Sequence, residues 1–426
     1  MPLKQTKKRS SIKKKSTTTT LSSRSSSRSG TEELELLKRN AKYLTYTEWD
    51  NHKLIGSGGF GRVYQFVKDG RPDPAEYVVK VVKYTKPTSR TNFLREGLIA
   101  RKLKFPTIAR TLKYFESKTV PSHGCIIMKF YPYTLKTYIR KKAILSSDTC
   151  LVLKNSQTVN KPKLLKTISK IWGGIILGVH YLHLNGLVYL DLKPDNIMCD
   201  IDGNIFLNDF GLSRCVKMEG CVCRQCFEKD RCIESDNQAC TNVANGTPDY
   251  FSYAQAFNRL VPEMTQRKYF GYTSDIWTAV DILWGLLPVE KKERLLISPF
   301  YLQGSSKLQT CQRIVDYINH KKSISTLFGK TDTVRSKVLS SPVWSCFTGI
   351  IKKVFSRDFV ESYILKCLNS DDSKYTSLID DLLKPCVELG WDKQELENLL
   401  KEMRAKKCSN FISHSLYESL VFPGSI

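Results

Sequence analysis

The sequence predicts an α+β chain in which a small β-rich part precedes a larger, mainly helical one. Three observations carry this. From about residue 49 short apolar runs are punctuated by glycine, and "EYVVKVVKY" (76–84) and "CIIMKF" (125–130) have the length and β-branched content of strands. Further on, Leu164, Ile168, Ile171, Ile175, Val179 and Leu182 recur at steps of three and four, the stripe of a buried helix. That stripe leads into "LVYLDLKPDNIMCDIDGNIFLNDFG" (187–211), extended and apolar yet interrupted by Asp191, Lys193, Asn196 and Asp209. Burying polar side chains costs free energy unless something pairs with them. These four either satisfy one another or await a ligand.

Taken in order, the chain opens on "MPLKQTKKRSSIKKKSTTTTLSSRSSSRSG", basic, hydroxyl-rich and with almost nothing to bury, so a disordered tail is expected over about residues 1–40. Its first 30 residues carry +9 of the net +26. "KKRSSIKKK" reads as a nuclear-import signal, as a tether to an anionic surface, or as a merely solubilising tail, and charge alone does not separate these. The tail is not apolar enough for a signal peptide, and the run "IWGGIILGVHYLHL" is too short to span a bilayer. A soluble intracellular protein is expected, with the nucleus one destination. Fourteen cysteines without a secretory signal then read as reduced thiols or metal ligands. The chain is long enough for two or three domains or one bilobal domain, and it shows no internal repeat.

"GSGGFGRV" (56–63) lies between two strand-like segments. Its glycines suit close approach to phosphate oxygens, although a Gly-rich hairpin turn gives the same run. A dinucleotide-binding loop fits less well, because a strand and not a helix follows. In "YVVKVV", alternation places Val78, Lys80 and Val82 on one face, where a lysine needs an anion, and Lys83 on the other, toward solvent. Glu96, in the helical-looking "TNFLREGLIARKL" (91–103), is a partner for Lys80, and a nucleotide phosphate is a second.

"DLKPDN" followed by "DFG" resembles the catalytic loop and metal-binding motif of eukaryotic-type serine/threonine protein kinases. The resemblance spans about residues 49–390 and includes "GTPDY" (246–250) and "TSDIWTAVDILWGLLP" (273–288). It implies a bilobal fold, with a β-rich N-lobe over about 49–131, a helical C-lobe over about 132–390, and a C-terminal extension over 391–426. It implies ATP and Mg²⁺ as cofactors, with Asp191 and Lys193 as catalytic residues and Asn196 and Asp209 as metal ligands. The nucleotide would meet Ile55, Gly56, Ser57, Gly58, Gly59, Phe60, Gly61, Val63, Lys80, Glu96 and Met128, the last as gatekeeper before a hinge at Lys129–Tyr131. Lys193 two residues after Asp191 matches the serine/threonine form. Protein substrates are the implied partners.

The chain departs from the family pattern in places. Tyr189-Leu190 stands where His-Arg usually precedes the catalytic aspartate, and Ser252-Tyr253-Ala254 stands for Ala-Pro-Glu. The arginine that normally pairs with that glutamate is Tyr375 here, so both partners of one ion pair are absent together, a change that can be nearly neutral. Such complete chemistry with loosened structural motifs resembles kinases of large DNA viruses. Cys215, Cys221, Cys223, Cys226, Cys232 and Cys240 crowd the expected activation segment; they offer thiolates for Zn²⁺ or are ordinary or redox-active thiols. Two rival functions remain at this level: a pseudokinase scaffold without turnover, which the intact set Lys80, Glu96, Asp191, Lys193, Asn196 and Asp209 opposes, and a nucleic-acid binder, for which no reading motif stands out.

Overall fold

The computed structural model describes residues 52–58, 61–66, 77–84, 86–116, 122–141, 161–215, 240–241, 246–262, 269–287, 296, 298–301, 304–322, 338–366 and 373–405. Gly59, Phe60, the basic tail, residues 406–426 and Cys221, Cys223, Cys226 and Cys232 lie outside the described residues.

The small lobe is an antiparallel sheet of β1 (His52–Gly58), β2 (Gly61–Phe66), β3 (Tyr77–Lys83), β4 (Thr111–Glu116) and β5 (His123–Lys129), in the order β1-β2-β3-β5-β4. Both faces of its centre are covered. Val79, Val81, Cys125, Ile127 and Tyr64 cluster on one side, and Val78, Val82, Ile126 and Met128 pack with Phe93 on the other. This two-sided burial is why β3 reads as a continuous apolar run. Phe93 belongs to helix α1 (Pro87–Lys102), which therefore lies on the face that also carries Lys80. Lys83 is exposed, as alternation predicts.

Beyond β6 (Tyr133–Thr134) the chain is mainly helical: α2 (Leu135–Lys141), α3 (Lys161–Leu184), α4 (Tyr253–Leu260), α5 (Gly271–Leu286), α6 (Lys307–Asn319), α7 (Ser345–Val354), α8 (Ser373–Glu388) and α9 (Lys393–Ala405). The stripe from Leu164 to Leu182 is buried along α3, and every residue of α5 is buried. These two helices form the centre of one large core, and the Trp172 indole of α3 donates to the Leu382 carbonyl of α8 at 2.7 Å. A helix buried on all sides must satisfy its polar groups internally, which bears on Asp275 below.

Residues 391–405 do not stand apart from this lobe. Trp391, Leu396, Leu399, Leu400 and Met403 join its core. The spacing of those leucines makes one apolar helical face, and that face is buried here.

Between α3 and α5 runs the stretch that holds the polar residues. β7 (Leu187–Val188) leads to a short 3₁₀ turn at Pro194–Asn196, then to the β8 (Ile197–Cys199) and β9 (Ile205–Leu207) hairpin. Two further short pairings follow. β10 (Arg214–Cys215) pairs with β7, and β11 (Cys240–Thr241) pairs with β12 (Tyr269–Phe270), which directly precedes α5. No helix among the described residues is long and apolar enough to cross a membrane.

Candidate active site

Two groups of residues meet at the junction of the lobes. In the upper one, Lys80 of β3 donates to both carboxylate oxygens of Glu96 on α1, at 2.7 and 2.9 Å, and its Nζ stands 3.6 Å from Asp209 Oδ1. Burial alone would drive the ammonium to lose its proton. The carboxylates of Asp209 and Glu96 more than reverse this and hold Lys80 above the ordinary lysine value, so it stays charged. The lysine flanked by valines thus has its anions within the protein.

The lower group is built on Asp191–Asn196, the loop that the resemblance makes catalytic. Asp191 Oδ2 accepts from Lys193 Nζ at 2.8 Å and from Asn196 Nδ2 at 2.9 Å, and Oδ1 accepts from the Thr247 hydroxyl at 2.8 Å. Lys193 also donates to Thr247 Oγ1 at 2.9 Å. Asn196 Nδ2 meets the Asp191 carbonyl as well, which leaves the Asn196 carbonyl oxygen as its acceptor for a cation. With the Asp209 carboxylate this gives an all-oxygen donor set, the kind that Mg²⁺ prefers. The donor types fit the cation.

Thr247 was not singled out from the sequence, although "GTPDY" contains it. The preceding Gly246 has φ of +114°, and a Cβ there would collide with the Leu190 carbonyl oxygen. Only glycine lets the end of the activation segment come this close to the catalytic loop, and that approach delivers the threonine to Asp191.

The catalytic loop is in turn anchored from beneath. Leu190, beside Asp191, has φ of +66°, a left-handed conformation that side-chain-bearing residues disfavour. Its N–H donates to Asp275 Oδ1 at 2.8 Å, and the Tyr189 N–H donates to Oδ2 at 2.7 Å. Asp275 lies on the wholly buried α5, where these donors satisfy its charge. His183 Nε2 donates to Oδ2 at 3.0 Å, and its Nδ1 accepts from the Tyr375 hydroxyl. Burial keeps the His183 imidazole neutral by pushing its pKa below the usual histidine value, against the pull of Asp275. Tyr375 therefore sets the tautomer that can donate to Asp275.

Tyr375 occupies the place where the family resemblance implies an arginine. It is fully buried, and its ring packs near Tyr272. Ala254, at the position of the absent glutamate, is buried in the same core. The adjacent Ser252 caps α4 with a Gln255 capping box and hydrogen-bonds Ser274 of α5. Hydrogen bonds between neutral groups thus tie the segment to α5 near the position of the missing ion pair. Tyr189, in place of histidine, donates its hydroxyl to the Asn208 carbonyl and packs 5.5 Å from the Phe210 ring.

The remaining expected nucleotide contacts that are described belong to the small-lobe sheet. Ile55, Gly56 and Ser57 lie on β1 and Gly61 and Val63 on β2, with Gly58 paired to Gly61. Val63 packs against the cluster that holds Val78 and Met128. Met128 is buried at the end of β5, and Tyr131 beyond it packs 4.3 Å from the Phe206 ring of β9. Among the described residues, no group of three or more His, Cys, Asp or Glu side chains is placed to hold a metal ion.

A β-sheet lobe whose Lys80 reaches Asp209, joined to a helical lobe that carries the Asp191–Lys193–Asn196 loop, is the two-lobed protein kinase architecture. The protein kinase domain family model matches residues 49–388, and the chain belongs to that family. It is 26% identical to a probable serine/threonine-protein kinase of Dictyostelium discoideum, over 66% of this chain and 52% of that protein. It is 30% identical to a probable CTD kinase subunit alpha homolog of Encephalitozoon cuniculi, over 43% of this chain and 48% of the relative. With serine/threonine-protein kinase Sgk2 of Rattus norvegicus it shares 22% identity over 70% of this chain and 72% of that one. The chain spans about half the length of the first two.

Proposed function

We propose that this chain transfers the terminal phosphoryl group of ATP to serine or threonine hydroxyls of protein substrates. The observation that carries the reading is the closed network of Asp191, Lys193, Asn196 and Thr247. It fixes the Asp191 carboxylate where a substrate hydroxyl could hand over its proton. Lys193 offsets charge on the moving phosphoryl oxygens. Lys80, held charged by Glu96 and Asp209, binds the non-transferred phosphates, and residues 55–61 with Val63 and Met128 enclose the nucleotide. Asn196 and Asp209 hold Mg²⁺, which when bound neutralises phosphate charge. Phosphoryl transfer depends mainly on such positioning and neutralisation. The test is transfer from labelled ATP to serine, threonine and tyrosine peptides, with Lys80→Met as control. Turnover on serine or threonine that Lys80→Met removes supports the reading; nucleotide binding with no transfer to any peptide would make the chain a pseudokinase.

Two finer proposals concern segments outside the described residues. The cysteines between Cys215 and Cys240 hold one Zn²⁺, tested by elemental analysis of protein purified without chelator and of its Cys223→Ser/Cys226→Ser variant. The basic tail contacts an import receptor or an anionic surface. A tail-deleted chain with unchanged cellular distribution refutes that contact.

A further inference from the structure

We propose that Arg95 is a positioning residue, a clamp by which α1 holds the metal-binding loop without a phosphorylated activation segment; this rests on the reading of the chain as an active kinase. Arg95 and Glu96 are consecutive on a helix, so their side chains leave it about 100° apart. Glu96 takes Lys80 of the sheet, while Arg95 turns to the loop and donates from Nη1 to the Gly211 carbonyl at 3.2 Å. The same nitrogen stands 3.3 Å from Asn92 Oδ1, one turn back on α1, which orients the guanidinium.

Arg95 is only 5% exposed. Taking a guanidinium out of water is costly, so a buried one needs its donors met. Gly211 lies flush against the helix: a Cβ there would stand 3.6 Å from Glu96 Oε2 and 4.0 Å from the Asn92 carbonyl oxygen. Two residues earlier, Asp209 has φ of +63°, a conformation that costs a non-glycine residue about 1 kcal/mol and that surrounding contacts must hold. Successive residues of α1 secure Asp209 from two directions, Glu96 through Lys80 and Arg95 through Gly211. The anchor sits on the small lobe, in a chain whose catalytic loop carries Leu190 where a cation would answer an activation-segment phosphate.

Arg95→Met keeps the aliphatic stem and removes the donor fork. In the full chain we expect the Mg²⁺ concentration for half-maximal binding of a fluorescent ATP analogue to rise about tenfold, the size of one lost charge-assisted hydrogen bond. Affinity for adenosine stays unchanged, kcat falls, and the amides of 210–213 exchange hydrogen faster. Arg95→Lys restores part of each. Wild-type Mg²⁺ dependence and wild-type exchange in a folded Arg95→Met overturn the clamp. If Arg95→Met fails to fold, Arg95→Lys carries the test, with smaller shifts in the same direction expected and no shift refuting it. If the wild type neither binds Mg²⁺ with ATP nor turns over, the kinase reading fails, and the exchange comparison still decides the clamp.

Discussion

Replacing Asp275 by asparagine tests how the catalytic loop is held. The carboxylate accepts from two backbone N–H groups and from His183, all buried. Asparagine offers one carbonyl oxygen and one NH₂, so either Tyr189 N–H or Leu190 N–H faces another donor. A buried donor left unmet costs about 1–3 kcal/mol, and the bonds that remain lose their charge assistance. Leu190 then has less to hold it at φ of +66°, a conformation itself unfavourable by about 1–2 kcal/mol. We expect a total loss near 2–4 kcal/mol in stability, measured as a lower urea midpoint at unchanged slope. Asp191 follows Leu190 directly, and a displacement on the order of 1 Å there reduces kcat about a hundredfold. The assay pairs urea unfolding with kcat at saturating ATP. Wild-type stability with wild-type kcat in Asp275→Asn would refute the anchoring role.

Three further outcomes follow from the same site. Tyr375→Phe removes the donor to His183 Nδ1 and is expected to cost about 1 kcal/mol of stability with a smaller fall in kcat than Asp275→Asn; an equal or larger fall would mean Tyr375 acts by another route. His180 is buried, its pKa pushed down to about 3 by desolvation and then by His183 and Arg404, and neither ring nitrogen has a hydrogen-bond partner among the described residues. Its folded pKa lies below the unfolded value near 6.5, so stability is full above that pH and falls at up to about 1.4 kcal/mol per unit as the pH drops, a slope that His180→Phe should reduce between pH 6.5 and 5 in urea titrations. With Leu190 beside Asp191, phosphatase treatment is expected to leave the transfer rate unchanged, and a collapse to background would show that another cation reads a phosphosite.

The parts of the site that the sequence made legible are those carried by local spacing. Alternation in β3 placed Lys80 on the α1 face, and the distances between Asp191, Lys193, Asn196 and Asp209 belong to one loop and hairpin. What stayed hidden depends on contacts between distant segments. Thr247 reaches Asp191 across 56 positions, and Tyr375 reaches His183 across 192. Their identities as a hydroxyl and a phenol say nothing of such partners. Arg95 was unreadable for another reason: a lone arginine on a helix normally lies in solvent, and only the packing of Gly211 shows otherwise. The last helix carries an apolar face whose partner, the core of the large lobe, cannot be read from the helix's own residues.

The most direct test of the account compares phosphoryl transfer by the wild type and by Asp191→Asn on the same serine, threonine and tyrosine peptides, with ATP binding measured alongside. Asn196, Thr247 and Lys193 can still meet an asparagine, so the fold and the nucleotide affinity should hold while transfer to serine and threonine falls by about a thousandfold, as expected for loss of a general base with its charge. Wild-type transfer rates in a folded, ATP-binding Asp191→Asn chain would contradict the central claim.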